Sequence, residues 1–211
     1  MQIQSGQSVL FQGDSITDAG RVREDPASMG EGYAMMCAAW ISAACPEKNI
    51  TFINRGISGN RAVDLVSRWD DDCLSLKPDW VSILIGVNDT WRRFDSGVET
   101  TAEAFEASYR TLIERTRAVV NSRLILCEPF VLPVPEDRQA WRDDLELKIR
   151  VVRKLAVEAG AIYVPFDGAF AAASTRRPAA FWTPDGVHPS PSGHALMART
   201  WLQAVGFSKM D

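Results

Sequence analysis

Histidine is scarce in this chain: His188 and His194 are the two present among 211 residues. A metal-dependent hydrolase would need several clustered histidine and carboxylate ligands. Two histidines six residues apart make that class a poor fit, and no metal or cofactor is expected. The four cysteines stand at 37, 45, 73 and 127, with no C-x-x-C pair. That leaves out a thioredoxin-type redox motif and a zinc ribbon. Cys37 sits in an apolar helical stretch and Cys127 in a strand-like run, so both read as small buried hydrophobes. No long apolar segment is present either. The longest, Tyr33 to Cys45, is interrupted by Ser42 and is too short for a span of ~20 residues. No membrane association is expected.

Basic blocks are missing too. Lys and Arg number 23 against 27 Asp and Glu, a net charge of −4. No nucleic-acid surface is expected from that balance. The acidic run Asp70-Asp71-Asp72 lacks the spacing and glycine of a calcium loop and reads as a solvated helix face. Neither G-x-G-x-x-G nor G-x-x-x-x-G-K-[ST] occurs, so a phosphate-cradling loop is not indicated. The first cation is Arg21, which leaves the opening segment without the basic region of a signal peptide. The tail Gly206–Asp211 carries no lipidation or retention signal. A cytoplasmic location is the expectation.

What is present is a globular composition, 46% apolar and 24% charged. It is read as a single domain over residues 1–211. Apolar runs at 8–12, 50–54, 80–85, 124–127 and 161–165 read as five strands. Helical patterns fall at 32–45, 62–76, 100–120, 138–159 and 191–205. In the second of these, Val63, Val66, Trp69, Cys73 and Leu76 form the expected apolar stripe. Strand and helix alternate throughout. That order predicts right-handed crossovers and a parallel sheet covered on both faces, an α/β fold.

Ligands of such sheets bind beyond the carboxyl ends of the strands. Gly13-Asp14-Ser15 follows the first strand, Gly56-Ile57-Ser58-Gly59-Asn60 the second, and Gly86-Val87-Asn88-Asp89 the third. Asp185-Gly186-Val187-His188 comes after the fifth. Ser15 is the candidate nucleophile, but a serine hydroxyl is weak until a base takes its proton. His188 can be that base, with Asp185 three residues earlier on one helical turn to hold the other ring nitrogen. The Gly59 N–H, the Asn88 amide and the Ser15 N–H can serve as donors to a developing oxyanion. Asp14, Asp18 and Asp89 read as hydrogen-bonding supports of turns. His194 reads as helix-start structure. Trp91 and Trp182 are candidate sugar-stacking residues, and equally candidates for core or subunit contacts. Arg21, Arg92 and Arg93 read as solvated, with contact to substrate hydroxyls as the alternative.

Taken together, GDSIT, GISGN, GVND and DGVHP in this order resemble the SGNH-type GDSL hydrolases, a family named for Ser, Gly, Asn and His in separated blocks. The resemblance runs from position 13 to 188. It implies a flavodoxin-like three-layer α/β/α sandwich with a five-stranded parallel sheet. It also implies the catalytic triad Ser15, Asp185 and His188, with Ser15, Gly59 and Asn88 around the oxyanion. Within the family, GDSITD, NRGISGNRAVDL, KPDWVSILIGVNDTWR and VHPSPSGH look most like bacterial intracellular acetylxylan esterases; the loops at 19–31 and 129–137 match less. A small acetylated carbohydrate is then the expected substrate. A short-chain lipid esterase or thioesterase, and a non-catalytic flavodoxin-like sugar-binding domain, are the alternatives. Seven tryptophans and the resemblance together suggest a homo-oligomer.

Overall fold

The structure, a computed structural model, describes residues 1–208; Lys209–Asp211, the end of the tail read above, lie outside the described residues. In chain order the elements are β1 Ser8–Gly13, α1 Ser15–Asp18, α2 Tyr33–Ala44, β2 Thr51–Asn54, α3 Ala62–Asp72, β3 Trp80–Leu84, α4 Val87–Asp95 and α5 Ala102–Val119. These are followed by β4 Arg123–Cys127, α6 Arg142–Glu158, β5 Ile162–Val164, α7 Phe166–Ser174, α8 Ala179–Trp182 and α9 Pro191–Ala204. All five expected strands are present. They pair in parallel in the order β2-β1-β3-β4-β5. This is the flavodoxin-like order, in which the chain reverses direction between β1 and β3 and opens a crevice at their carboxyl ends.

Alternation along the strands explains the two cores. Val9 and Phe11 of β1, Trp80 and Leu84 of β3, and Ile125 and Cys127 of β4 point to one face, where Tyr33 and Ile41 of α2 and Trp201 and Leu202 of α9 cover them. Leu10, Val81, Ile83, Leu124 and Leu126 point to the other, against Leu65 and Trp69 of α3, Phe105 and Leu112 of α5, and Val152 and Leu155 of α6. Each such fully buried side chain contributes roughly 1.5–3 kcal/mol. The buried indoles keep a polar partner: Trp69 donates to Thr116 Oγ1 at 3.0 Å and Trp201 to Ser82 Oγ at 3.0 Å. All four cysteines are buried and unpaired.

Several elements differ in detail from the sequence expectation. Val63, placed in the apolar stripe of α3, is 47% exposed, and Leu65 is buried in its place. The helix begins at Ala62, which turns 62, 65 and 69 inward together. The helix expected from 138 begins as a 3₁₀ segment, Glu136–Trp141, and becomes α-helical at Arg142; tight first turns of this kind are common at helix starts. Helix α4 was not expected, because it carries no long apolar stripe. Asp70 and Asp71 are exposed, whereas Asp72 is half-buried and pairs with Arg68 at 2.8 Å.

Candidate active site

Ser15 is the first residue of α1, directly beyond β1. Asp14 precedes it as the cap and accepts from Ile16 N at 3.0 Å. The short helix aims the Ser15 hydroxyl at the loop after α8, where Oγ lies 2.9 Å from His188 Nε2. Asp185 Oδ2 lies 2.6 Å from His188 Nδ1. A carboxylate can only accept, so Nδ1 carries the proton; in the neutral ring Nε2 is then an acceptor for the serine O–H.

The Asp185–His188 segment is not the helical turn expected from its spacing. It is a turn built on Asp185 Oδ1, which accepts from Val187 N at 3.0 Å and His188 N at 2.7 Å. Gly186, with φ of +84°, and Pro189 stop a helix from forming there. Burial raises the Asp185 carboxyl, but the hydrogen bonds from the His188 ring and the two backbone N–H groups outweigh it and hold the group below its ordinary value. It therefore stays ionised beside the ring.

Buried polar contacts stitch the loops around Ser15. Asn54 is fully buried at the end of β2. Its amide donates to Thr17 O at 2.7 Å and Met29 O at 2.8 Å, and its carbonyl accepts from Gly56 N at 2.8 Å. Asp18 Oδ2 accepts from Ser58 N at 3.0 Å and Ser58 Oγ at 2.9 Å. A Cβ on Gly56 would collide with the backbone of Thr17 and Asp18, so only glycine lets these two loops meet. Asp89 accepts from Ala62 N at 3.1 Å and so caps α3, tying the third loop to the second. Burial pushes both Asp14 and Asp89 up to about 7 against the pull of those backbone donors. Asp144 anchors α4 from below: it accepts from Thr90 Oγ1 at 2.7 Å, Arg93 Nη1 at 3.0 Å and the buried Lys148 at 2.6 Å.

Within this frame Asn88 Nδ2 gives one proton to Asn60 O at 3.0 Å, which leaves its second free. Gly59 has φ of +84°, a conformation that favours glycine. Among the described residues no protein acceptor takes the Ser15 or Gly59 N–H. Trp91 stands beside the histidine, its ring centroid 6.0 Å from that of His188, and packs on Trp141 at 5.2 Å. Trp182 is placed otherwise. Its Nε1 donates to Arg177 O at 3.3 Å, its ring meets Phe181 edge-on at 4.9 Å, and it lines a surface groove with Arg176 and Arg199. None of these contacts joins it to Ser15 or His188.

His194 has its own task. In the first turn of α9, its Nδ1 accepts from Tyr33 N at 3.2 Å, covering the start of α2, where Gly32 offers no side-chain cap. Burial, and then the nearby His188, push its ring down to about 4, so it stays a neutral acceptor. Asn54 and the Asp18–Ser58 link escaped the sequence reading. The glycine at 56 was the available clue, since close loop approach leaves glycine as its trace.

The comparisons agree with this geometry. Residues 11–196 match the GDSL-like Lipase/Acylhydrolase family. An acetylxylan esterase of Geobacillus stearothermophilus is 39% identical over 217 aligned positions, covering 98% of this chain and 97% of that protein. The crystal structure of a candidate GDSL-like lipase from Parabacteroides merdae superposes with a TM-score of 0.93 at 38% identity, covering 98% of both chains. That of an acetylxylan esterase from Geobacillus stearothermophilus gives 0.90 at 36% identity, covering 99% of this chain and 98% of the other. A serine, a histidine and a carboxylate in line at the switch point of a flavodoxin-like sheet suit acyl transfer through a serine. The chain belongs to the GDSL-like lipase/acylhydrolase family, and it is a carboxylic ester hydrolase. No helix among the described residues is long and apolar enough to cross a membrane.

Proposed function

We propose that this hydrolase removes acetyl groups from short carbohydrates, xylo-oligosaccharides or related sugars, through an acetyl-enzyme on Ser15. The observation that carries the reading is the unbroken line from Asp185 through His188 to the Ser15 hydroxyl, at 2.6 and 2.9 Å. Ser15 Oγ attacks the ester carbonyl and its proton passes to His188 Nε2. The oxyanion forms against the Ser15 and Gly59 N–H groups and the free Asn88 proton. The C–O bond to the sugar then breaks, and His188 returns the proton to the departing hydroxyl. Water, deprotonated by the same ring, attacks the acetyl-enzyme, and acetate leaves as Ser15 regains its proton. Each oxyanion donor is worth roughly 3 kcal/mol.

A sugar ester is supported by the openness of the site. The side chains of His188 and Asp185 are 45% and 42% exposed, so a polar alcohol meets the reacting atoms without entering an apolar tunnel. The relative named acetylxylan esterase supports the same substrate class. A cytoplasmic location goes with this reading, as the unpaired cysteines are compatible with a reducing compartment. Self-association belongs to it as well. Trp40, Phe94 and Phe181 stand exposed, and sedimentation as a monomer at micromolar concentration would remove that part.

The test is acetate release from acetylated xylo-oligosaccharides, set against p-nitrophenyl esters of increasing chain length, with Ser15→Ala as control. The reading expects the acetylated sugars to give the highest kcat/KM. A rise with acyl length would replace it by a lipid-ester or thioester reading.

A further inference from the structure

Asn88, Trp91 and Arg92 are three and four residues apart on α4, so they share one face of the helix. Asn88 faces the Gly59–Asn60 loop, and Trp91 flanks His188. Arg92 closes the other flank. A Cβ placed on Gly59 would lie 3.9 Å from Arg92 Nη2, and apart from residues 58–60 themselves no other heavy atom comes within 4 Å of that point. The space beside Gly59 is therefore open except for one guanidinium edge. Asp95, one turn later, holds Nη1. Nη2 has no protein acceptor among the described residues, so its donors are unused within the protein. Arg93, its neighbour, is turned away to Asp144 and Glu99. Trp91 is likewise held, by Trp141 and by the Arg138 guanidinium 5.3 Å from its ring centroid.

A guanidinium edge with unused donors beside a carbonyl site suits a neighbouring hydroxyl, which can accept two hydrogen bonds. It suits an alkyl group poorly, because the charged donor would lose water and gain nothing. Trp91, half-buried beside His188, is an apolar ring that a pyranose, amphipathic in the matching way, can meet. We propose that Arg92 is a specificity-determining residue. Its Nη2 donates to a hydroxyl of the sugar adjacent to the acetylated position, while the ring lies against Trp91. This rests on the acetyl-sugar reading above.

The experiment uses two substrates and two variants. One substrate is a methyl xylopyranoside with a single acetyl group and free neighbouring hydroxyls. The other is the same compound with those hydroxyls replaced by hydrogen. In Arg92→Ala, kcat/KM for the first falls about 10- to 100-fold, mainly through KM, as for a lost charged hydrogen bond. For the deoxy compound it falls less than about threefold, because the partner group is already gone. Arg92→Lys, which keeps the charge and guards against misfolding of the alanine variant, shows the same hydroxyl-dependent loss at a smaller size, about 3- to 10-fold. Equal losses on both substrates would mean a merely structural role, and no loss on the first would mean no contact; either result overturns the proposal. Failure of the underlying reading shows separately, in the wild type. An enzyme that turns over p-nitrophenyl acetate but neither pyranoside overturns both.

Discussion

At the amino end of the sheet, polar groups meet at the surface. Asp79 accepts from Ser8 N at 2.8 Å and Ser8 Oγ at 3.0 Å, both exposed, and Arg123 lies 4.2 Å over the Trp80 ring. A cavity of about 810 Å³ opens there, beside Trp80, Arg123 and Gly160. At the carboxyl end Asp14, Asp18, Asn54 and Asp89 are all buried and joined to backbone N–H groups or carbonyls. A buried polar group left without its partner costs about 1–3 kcal/mol, so each of these links holds its loop to one geometry. An exposed pair such as Ser8–Asp79 can exchange its partner for water and imposes little. The end that is costly to build is the end that places the reacting atoms.

The comparison is broken most severely by removing the group it serves. Ser15→Ala is expected to lower kcat by about 10⁴- to 10⁶-fold while leaving Tm within a degree or two of the wild type, read by acetate release and calorimetry. Next comes Asn88, the proposed oxyanion donor. Asn88→Ala should lower kcat about 10²- to 10³-fold with little change in KM; a change confined to KM would remove Asn88 from that role. A matched pair then sets one end of the sheet against the other. Asp18→Ala frees the Ser58–Gly59 loop and should lower kcat about 10- to 100-fold, since displacing a donor by ~1 Å is that costly. Asp79→Ala, at the amino end, should leave kcat within about twofold. Equal effects from the two would erase the distinction.

The smallest effect is one of stability. His194 has a folded value of about 4 against 6.5 for the free side chain. The unfolded chain therefore takes up the proton first, and the stability tied to a neutral His194 is complete above pH 6.5 and lost as pH falls toward 4. Between pH 7 and pH 5 that amounts to about 2 kcal/mol. Asp14 and Asp89, held at about 7, act in the opposite sense: their contribution is present at low pH and lost as pH rises from 3.8 toward 7. The wild-type profile alone would mix the two, so the measurement is a difference. His194→Asn keeps an acceptor for Tyr33 N and should narrow its stability gap to the wild type by about 2 kcal/mol on going from pH 7 to pH 5, measured by urea unfolding. A gap that does not change with pH would contradict the assignment.

The strands, their direction and the polar blocks that follow them were legible in the sequence because each is a local signal: a short apolar run, then glycine and a small polar residue. What was not legible depends on distant partners. Helix α4 has the polar sequence VNDTWRRFD, and it is held by Asp144, 54 residues after Thr90. No periodicity within the segment announces that link, so Arg92 read as solvated when its Nη2 in fact faces Gly59. Asp185 and His188 were paired correctly by spacing, but in a helical turn that Gly186 and Pro189 do not permit. Trp182, three residues before Asp185, was drawn toward the site by proximity in the chain, whereas its contacts are with Arg177 and Phe181.

The account turns on Ser15 being a hydroxyl activated by His188 and Asp185. Reaction with a fluorophosphonate ester, followed by intact mass and peptide mapping, reads this directly. The account predicts one phosphonyl group, on the peptide containing Ser15, with loss of esterase activity in step with labelling and far slower labelling in His188→Ala. Full inactivation with Ser15 unlabelled, or labelling of Ser15 at the same rate without the histidine, would contradict it.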